Sequence, residues 1–349
     1  MTRQQVIFDC HHPKHFLILR AVARRLMGEG VEVAWTCRRK DVLVELIGAD
    51  FDNLHVLTHA SRGLFGLARE LVAYDRRLWS LARRLRPAVL VGNSVSVAHV
   101  GKLTGIPSIV LNDDDAAANR QYPLLAYPFC SLILTPDCLD EDYGARHVRY
   151  PGYHELAYLH PEVFEAGDDI WSLLGIEPGT PYSIARFVSL QASHDFHEQG
   201  LSLAQKQQLL EMLESCGRVF VSIEGDVDPA FARYAVRIPP ERMHDALAHA
   251  MVYLGDSQTM AAEAAVLGTP ALRCNTFVGR ISYLEELEHR YRLTYGFLPG
   301  DFDRLVVRLD EILAAQDPKA EWGRRRQRML AEKINPTDVY YEHIRRYLE

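Results

Sequence analysis

GDSQTMAAEAAVLGTPAL, residues 255–272, is the stretch on which the fold turns. A short apolar run, Ala250 to Leu254, precedes it and reads as a buried strand. Asp256, Ser257, Gln258 and Thr259 follow, small polar residues where a turn opens a helix. Met260 to Leu267 is Ala-rich, with Glu263 inside it; Gly268 and Pro270 stop the helix, and Ala271-Leu272 begins the next strand. A strand, a polar turn and a helix N-terminus together bind phosphate, because unpaired backbone N–H groups and the positive end of the dipole meet there. Glu263 lies about one and a half turns further in, where a carboxylate reaches sugar hydroxyls carried by that phosphate. The alternative is an ordinary βα unit whose Ser and Thr only cap the helix.

Outward from this stretch, strands and helices alternate. Val6–Cys10, Val31–Thr36, Val89–Val91, Ile106–Leu111 and Leu132–Leu134 read as strands. Between them, His15–Gly28, Asp41–Ile47, Leu64–Leu85 and Val95–Thr104 read as helices. The pattern restarts near residue 180, with strands at Pro181–Phe187, Val219–Ile223, Met251–Leu254 and Ala271–Arg273. Helices at Leu203–Cys216, Arg242–Ala250 and Thr259–Leu267 separate these. Such alternation predicts α/β domains, each a doubly wound parallel sheet. Pro151–Pro161 (PGYHELAYLHP) is bounded by prolines, lacks periodicity and reads as the interdomain connection. The expected domains are 1–152 and 153–336, followed by a C-terminal helix, 337–349, that packs back on the first. Two such domains facing each other predict a cleft at the C-terminal ends of two sheets.

Bulk properties bound the partners. The 349 residues suffice for two cores, with 48% hydrophobic and 24% charged residues. A net charge of −7 leaves no basic footprint for nucleic acid, and Arg83-Arg84 and Arg324-Arg325-Arg326 read as solvated helix faces. No apolar run approaches the ~20 residues of a membrane span. Six scattered cysteines (10, 37, 130, 138, 216 and 274), without CxxC, suit reduced thiols. With QVIFDC opening the chain as a strand rather than a signal peptide, the expected location is the cytoplasm.

A dinucleotide-binding enzyme needs G-x-G-x-x-G after its first strand. Here that strand runs into DCHHPKHF, which has no glycine, and no P-loop is present. The 255–272 stretch instead resembles the nucleotide-sugar site of GT-B enzymes. It is most similar to that of the non-hydrolysing UDP-N-acetylglucosamine 2-epimerases: Asp256-Ser257, Glu263 and Leu267-Gly268-Thr269-Pro270 match at the same spacing, with Gln258 and Thr259 replacing two glycines. The resemblance implies diphosphate contact for Ser257 and ribose contact for Glu263. HPKHF, YPGYHELAYL and GDSQTMAAEAAVLGTP…NTFVGRISYLEELE…YGF resemble, over almost the whole chain, the prokaryotic family catalogued as domain of unknown function 354, assigned to the GT-B group.

Three further clusters are site candidates. Asp9, His11, His12, Lys14 and His15 crowd the first strand–helix loop. A His there serves as general base, with His15 the candidate, and Lys14 pairs with phosphate. His11 and His15, four apart, could share a metal were it not for Pro13 between them. Asn112-Asp113-Asp114-Asp115 follows a strand where the epimerases place a catalytic Glu, and Asp113 falls near it. The family's second acid is replaced by alanine in Ala116–Ala118, and paired acids could also hold a divalent ion on a diphosphate. Ser193, His194, Asp195 and His197 follow the first strand of the second domain, where the epimerases carry a Thr-His-Arg run. Arg186 could supply the missing cation. Arg273 to Tyr283, with Asn275 and Arg280, is a lesser candidate wall.

The expected function is a GT-B glycosyltransferase using a nucleotide-activated sugar, a UDP-sugar, in cell-surface or glycoconjugate biosynthesis. Its expected catalytic residues are His15, Asp113 and His194. Expected substrate contacts are Asp9, His12, Lys14, Arg186, Ser193, Asp256, Ser257, Gln258, Thr259 and Glu263. The nucleotide sugar is substrate, no cofactor is required, a divalent ion is left open, and an acceptor and a homodimer are open partners. The alternatives are a nucleotide-sugar 2-epimerase and a non-catalytic nucleotide-sugar-binding protein.

Overall fold

The computed structural model describes residues 4–40, 42–61, 63–187, 201–222 and 229–349. The chain forms two compact units, Met1–Tyr158 with Ile334–Glu349, and Leu159–Lys333.

The N-terminal unit has strands β1 (Gln5–Cys10), β2 (Glu32–Arg39), β3 (Leu54–His59), β4 (Val89–Gly92), β5 (Ser108–Leu111), β6 (Leu132–Pro136) and β7 (His147–Tyr150). They lie in the order β3-β2-β1-β4-β5-β6-β7, all parallel. Its helices are α1 (Pro13–Gly28), α2 (Leu43–Asp50), α3 (Leu64–Leu85), α4 (Val95–Thr104), α5 (Gln121–Ala126) and the short α6 (Leu156–Leu159). β1 and β4 are buried throughout, as strands covered on both faces must be. On one face Trp35 packs among Phe8, Phe16 and Phe51, with ring centroids 5.1–5.2 Å apart. Burying each of these rings contributes roughly 1.5–3 kcal/mol.

The second unit has strands β8 (Tyr182–Arg186), β9 (Arg218–Ser222), β10 (Ala235–Val236), β11 (Tyr253–Gly255), β12 (Ala271–Cys274) and β13 (Thr294–Phe297). Their order is β10-β9-β8-β11-β12-β13, again all parallel. Helices α7 (Ile170–Leu173), α8 (Leu203–Glu214), α9 (Met243–His249), α10 (Gln258–Leu267), α11 (Ser282–His289), α12 (Phe302–Leu313) and α13 (Pro318–Glu332) belong to it. The final helix, α14 (Thr337–Arg345), returns to the N-terminal unit and packs on α1. There the Tyr341 hydroxyl donates to Glu29 at 2.5 Å, and the Arg25 guanidinium lies 3.6 Å over the Tyr341 ring.

The sheet orders show where each unit can hold a ligand. Strand order reverses direction between β1 and β4, and again between β8 and β11. Ligands of open parallel sheets bind beyond the carboxyl ends of the strands at such switch points.

The two switch points are built on one frame. Gly92-Asn93-Ser94 opens the ten-residue helix α4, and Gly255-Asp256-Ser257 opens the ten-residue helix α10. Gly105 and Gly268 end these helices at φ +73° and +81°, a left-handed conformation that favours glycine. Pro107 and Pro270 precede strands of four residues, and Asn112 and Asn275 follow them.

Sequence periodicity missed β3, β7, β10 and β13, together with α5, α6, α7, α11, α12 and α13. β3, β7, β10 and β13 are all edge strands with partly exposed residues, so no continuous apolar run marks them. The expected helix starts also moved: Pro13 begins α1 rather than interrupting it, because proline at the first helical position loses no hydrogen bond.

Candidate functional site

In the second unit the site begins where β8 and β11 end side by side, Gly255 opposite Arg186. A Cβ at Gly255 would collide with the Arg186 carbonyl oxygen, so only glycine allows the approach. The Asp256 N–H then donates to that carbonyl at 3.1 Å. Ser257 caps α10, its Oγ accepting from the Met260 N–H at 3.4 Å. The first-turn N–H groups at Gln258 and Thr259 have no acceptor within the helix, which is what suits them to an anion. The turn is braced from two sides. The Tyr253 hydroxyl donates to the Ser257 carbonyl at 3.4 Å, and Asn275 Nδ2 donates to the Asp256 carbonyl at 3.0 Å. Arg186, at the tip of β8, donates to Ser222 Oγ at the tip of β9, 3.3 Å away.

Glu263 is 6% exposed, deeper than a surface contact would be. A buried carboxylate needs a partner, and Oε1 finds His244 Nε2 on α9 at 3.2 Å. The His244 ring in turn stands edge-on to Phe164. His244 was not among the sequence candidates: it lies in RMHDALAHA, which reads as a plain helix. Arg273, by contrast, is a buried structural cation, 3.0 Å from Glu285 and 3.2 Å from Glu288.

In the N-terminal unit the loop after β1 divides its residues. Asp9 is fully buried, and its Oδ1 accepts hydrogen bonds from Thr36 Oγ1 and the Tyr74 hydroxyl, while Oδ2 lies 3.4 Å from His11 Nε2. This carboxylate ties β1, β2 and α3 together, a role in the scaffold. His12 caps α1 by accepting the Lys14 N–H on Nδ1. His15 Nδ1 accepts the His11 N–H at 3.3 Å. Burial, then the neighbouring His12 and His11, hold His15 well below the usual imidazole pKa. A neutral His15 whose Nδ1 accepts carries its proton on Nε2, so its outer nitrogen donates rather than accepts.

Lys14 reaches across to a second cluster. Its Nζ pairs with Asp113 Oδ2, and lies 2.8 Å from Glu155 Oε1. Asp113 Oδ1 is 3.3 Å from His154 Nδ1. Burial alone would raise the Asp113 pKa, but His154 and Lys14 beside it outweigh this and hold it well below the carboxylate range. Asp114 moves up, through burial and the charge of Asp113. His154 and Glu155 are fully buried, and the His154 ring stacks on Tyr150, whose hydroxyl is 2.7 Å from that of Tyr340 on α14. The PGYHELAYL segment is therefore more than a connection, since its two ionisable residues complete a charge cluster. Neither was among the sequence candidates; the signal that was there to find them is ionisable residues set inside an apolar run.

Ser193 and His194, with Asp195 and His197, lie outside the described residues. Among the described residues no group of three or more His, Cys, Asp or Glu side chains is arranged to hold a metal ion.

Whole-chain comparison agrees with these sheets. Spinosyn forosaminyltransferase SpnP shares 14% identity, with TM-score 0.65 and all of both chains covered. A structure of MnaA from S. aureus with UDP gives TM-score 0.67 at 10% identity, covering 99% of this chain and 97% of that one. MurG of Acinetobacter baumannii gives 0.60 at 12% identity, with 99% of each chain covered. These likenesses establish a GT-B fold of two parallel-sheet α/β domains. No curated protein sequence matches the chain. The family model that does match spans residues 5–292, and the chain therefore belongs to the family described as protein of unknown function DUF354.

Proposed function

We propose that this protein is a GT-B glycosyltransferase that takes its sugar from a nucleotide-activated donor, a UDP-sugar, in cell-surface or glycoconjugate biosynthesis. The observation that carries the reading is the α10 turn: a Ser-capped helix N-terminus at the switch point, with the buried Glu263 behind it. On this reading the diphosphate lies on the N–H groups of the first turn, with Ser257, Gln258 and Thr259 side chains beside it. Glu263, positioned by His244, accepts from the ribose hydroxyls, and Arg186 offers a cation to the phosphates. The nucleotide sugar is the substrate, and the reading asks for no further cofactor.

Chemistry on the sugar is assigned to the N-terminal unit. Asp113 stays ionised and accepts, whereas His15 donates through Nε2. In glycosyl transfer the acceptor hydroxyl loses its proton as its bond to the anomeric carbon forms, so a weak carboxylate base suffices. Lys14 keeps that carboxylate charged. A 2-epimerase instead removes a proton from carbon, which asks for a base closer to neutrality. The matched Ser257, Glu263 and Leu267–Pro270 positions keep that second reading in play.

The test is a panel of nucleotide sugars, offered without and with candidate acceptor alcohols. Nucleotide release that needs an acceptor supports the transferase. Epimerisation or elimination without one moves the assignment to the epimerase, and tight binding without turnover to a non-catalytic binding protein. Absence of binding at millimolar concentration removes all three.

A further inference from the structure

Helix α3 is 22 residues long and amphipathic, with Tyr74, Leu78, Leu81 and Ala82 buried against the sheet. Its outer face is unusual. Phe65, Arg69, Val72, Arg76, Trp79 and Arg83 recur at alternating steps of four and three, so at 100° per residue they share one narrow stripe. Phe65 is 95% exposed, Val72 69% and Trp79 37%, and the three arginines between them are exposed as well. The Arg83 guanidinium lies 5.0 Å over the Trp79 ring. The stripe carries no acid. The two acids of α3 are turned elsewhere: Glu70 accepts from the Ser61 N–H and Arg38, and Asp75 pairs with His99 of α4. His99 leads on to α5, contacting the Leu125 carbonyl and the Phe129 ring. There Leu124, Leu125 and Phe129 are exposed. By helical angle Asp75 lies on the Val72 and Trp79 flank of α3, and His99 of α4 stands between that flank and the apolar residues at 124–129.

Lone exposed apolar residues need no explanation, but a contiguous patch does. We infer that this face of α3 and α5 docks the protein on the surface of an anionic lipid bilayer. A chain of net charge −7 presents on the α3 stripe a cationic, apolar-studded strip, with Asp75 on its flank taken up by His99. That pairing is the signature of a helix lying in the headgroup region: aromatic and aliphatic side chains enter the acyl boundary, and arginines stay at the phosphates. A second copy of the chain would bring arginines against arginines. A polyanion such as nucleic acid would use the arginines and leave Phe65 and Val72 without a role. Among the described residues no helix is long and apolar enough to cross a membrane, and surface docking needs none.

The test is flotation of the full-length protein with phosphatidylcholine vesicles, with and without about one-third phosphatidylglycerol. Binding is expected on the anionic vesicles, at least roughly tenfold above the neutral ones, and weaker in high salt. Arg69→Glu with Arg76→Glu should return binding to the neutral level, and Phe65→Ser with Val72→Ser should lower it about tenfold or more. Both pairs are exposed, and circular dichroism checks that the variants stay folded. Absence of anionic-vesicle binding at millimolar lipid overturns the inference, as does equal binding by the folded variants. Tight binding to a DNA duplex that survives loss of Phe65 and Val72, with no vesicle binding, would reassign the arginines to a polyanion.

Discussion

Segments 92–112 and 255–275 share a frame of glycine, serine cap, ten-residue helix, left-handed glycine, proline, short strand and asparagine. Even the terminal asparagines agree, since Asn112 and Asn275 each accept the N–H two residues on, at 3.4 and 2.9 Å. They differ in where charge is placed. The helix position that carries Glu263 in α10 carries Val100 in α4, fully buried among apolar neighbours. The position after the asparagine carries Asp113 in the first unit and Thr276 in the second. On the proposed function, one frame serves two purposes: the second unit turns its helix to the ligand, while the first seals its helix into the core and leaves chemistry to the following loop.

The largest expected effect lies in that loop. Lys14→Met leaves Asp113 and Glu155 without their shared cation, and breaking a buried pair costs about 3–5 kcal/mol. Urea unfolding measures it, and a loss under ~1 kcal/mol would mean that the cluster is solvated rather than buried. Asp113 also sets an acid limit. Its folded pKa lies below its unfolded value of about 3.9, so its contribution is complete above about pH 4 and is lost as pH falls through the folded value. Asp113→Asn should flatten the stability curve below about pH 4.

Next come the glycines. A Cβ at Gly92 would strike the Asp9 carbonyl oxygen, as one at Gly255 strikes that of Arg186. Gly92→Ala and Gly255→Ala should each cost about 1–3 kcal/mol by chemical denaturation, through forced separation of two strand ends. If only one of the pair is sensitive, the frame is not shared at the level of packing. Glu263→Ala should instead leave the fold largely intact and weaken uridine nucleotide binding by ~1–3 kcal/mol in calorimetry. Unchanged affinity would put Glu263 outside the nucleotide site.

These predictions draw on residues that were unequally visible in the sequence. α10 was legible because every signal is local: an apolar strand, a serine cap, an alanine-rich run, then glycine and proline. Glu263 could be placed for the same reason. Its partner His244 could not, because pairing across α9 and α10 depends on how two helices pack. His154 and Glu155 share that difficulty, since their partners Lys14 and Asp113 come from distant loops brought together only by the sheet. Asp9 shows the converse. A polar residue at the tip of the first strand reads as a ligand contact, yet its Oδ1 is taken up by Thr36 and Tyr74 inside the scaffold. Sequence shows which residues are ionisable, but only the sheet order decides which of them meet.

The smallest effect separates the two frames most cleanly. Ser94 Oγ accepts the Val97 N–H at 3.3 Å, and Ser257 Oγ accepts the Met260 N–H at 3.4 Å, so as caps they are equivalent. Loss of such a cap costs about 1 kcal/mol, and Ser94→Ala and Ser257→Ala should lower stability alike. On the proposed function only Ser257→Ala should also weaken nucleotide binding, because only α10 has a buried carboxylate, Glu263, behind its Ser-capped first turn. The paired measurement therefore subtracts the structural role of a capping serine from its ligand role. Equal stability losses with equal, undiminished affinity would make Ser257 a cap and nothing more. Equal losses of affinity in both variants would mean that the N-terminal switch point also feels the nucleotide, and the division of labour between the two frames would have to be redrawn.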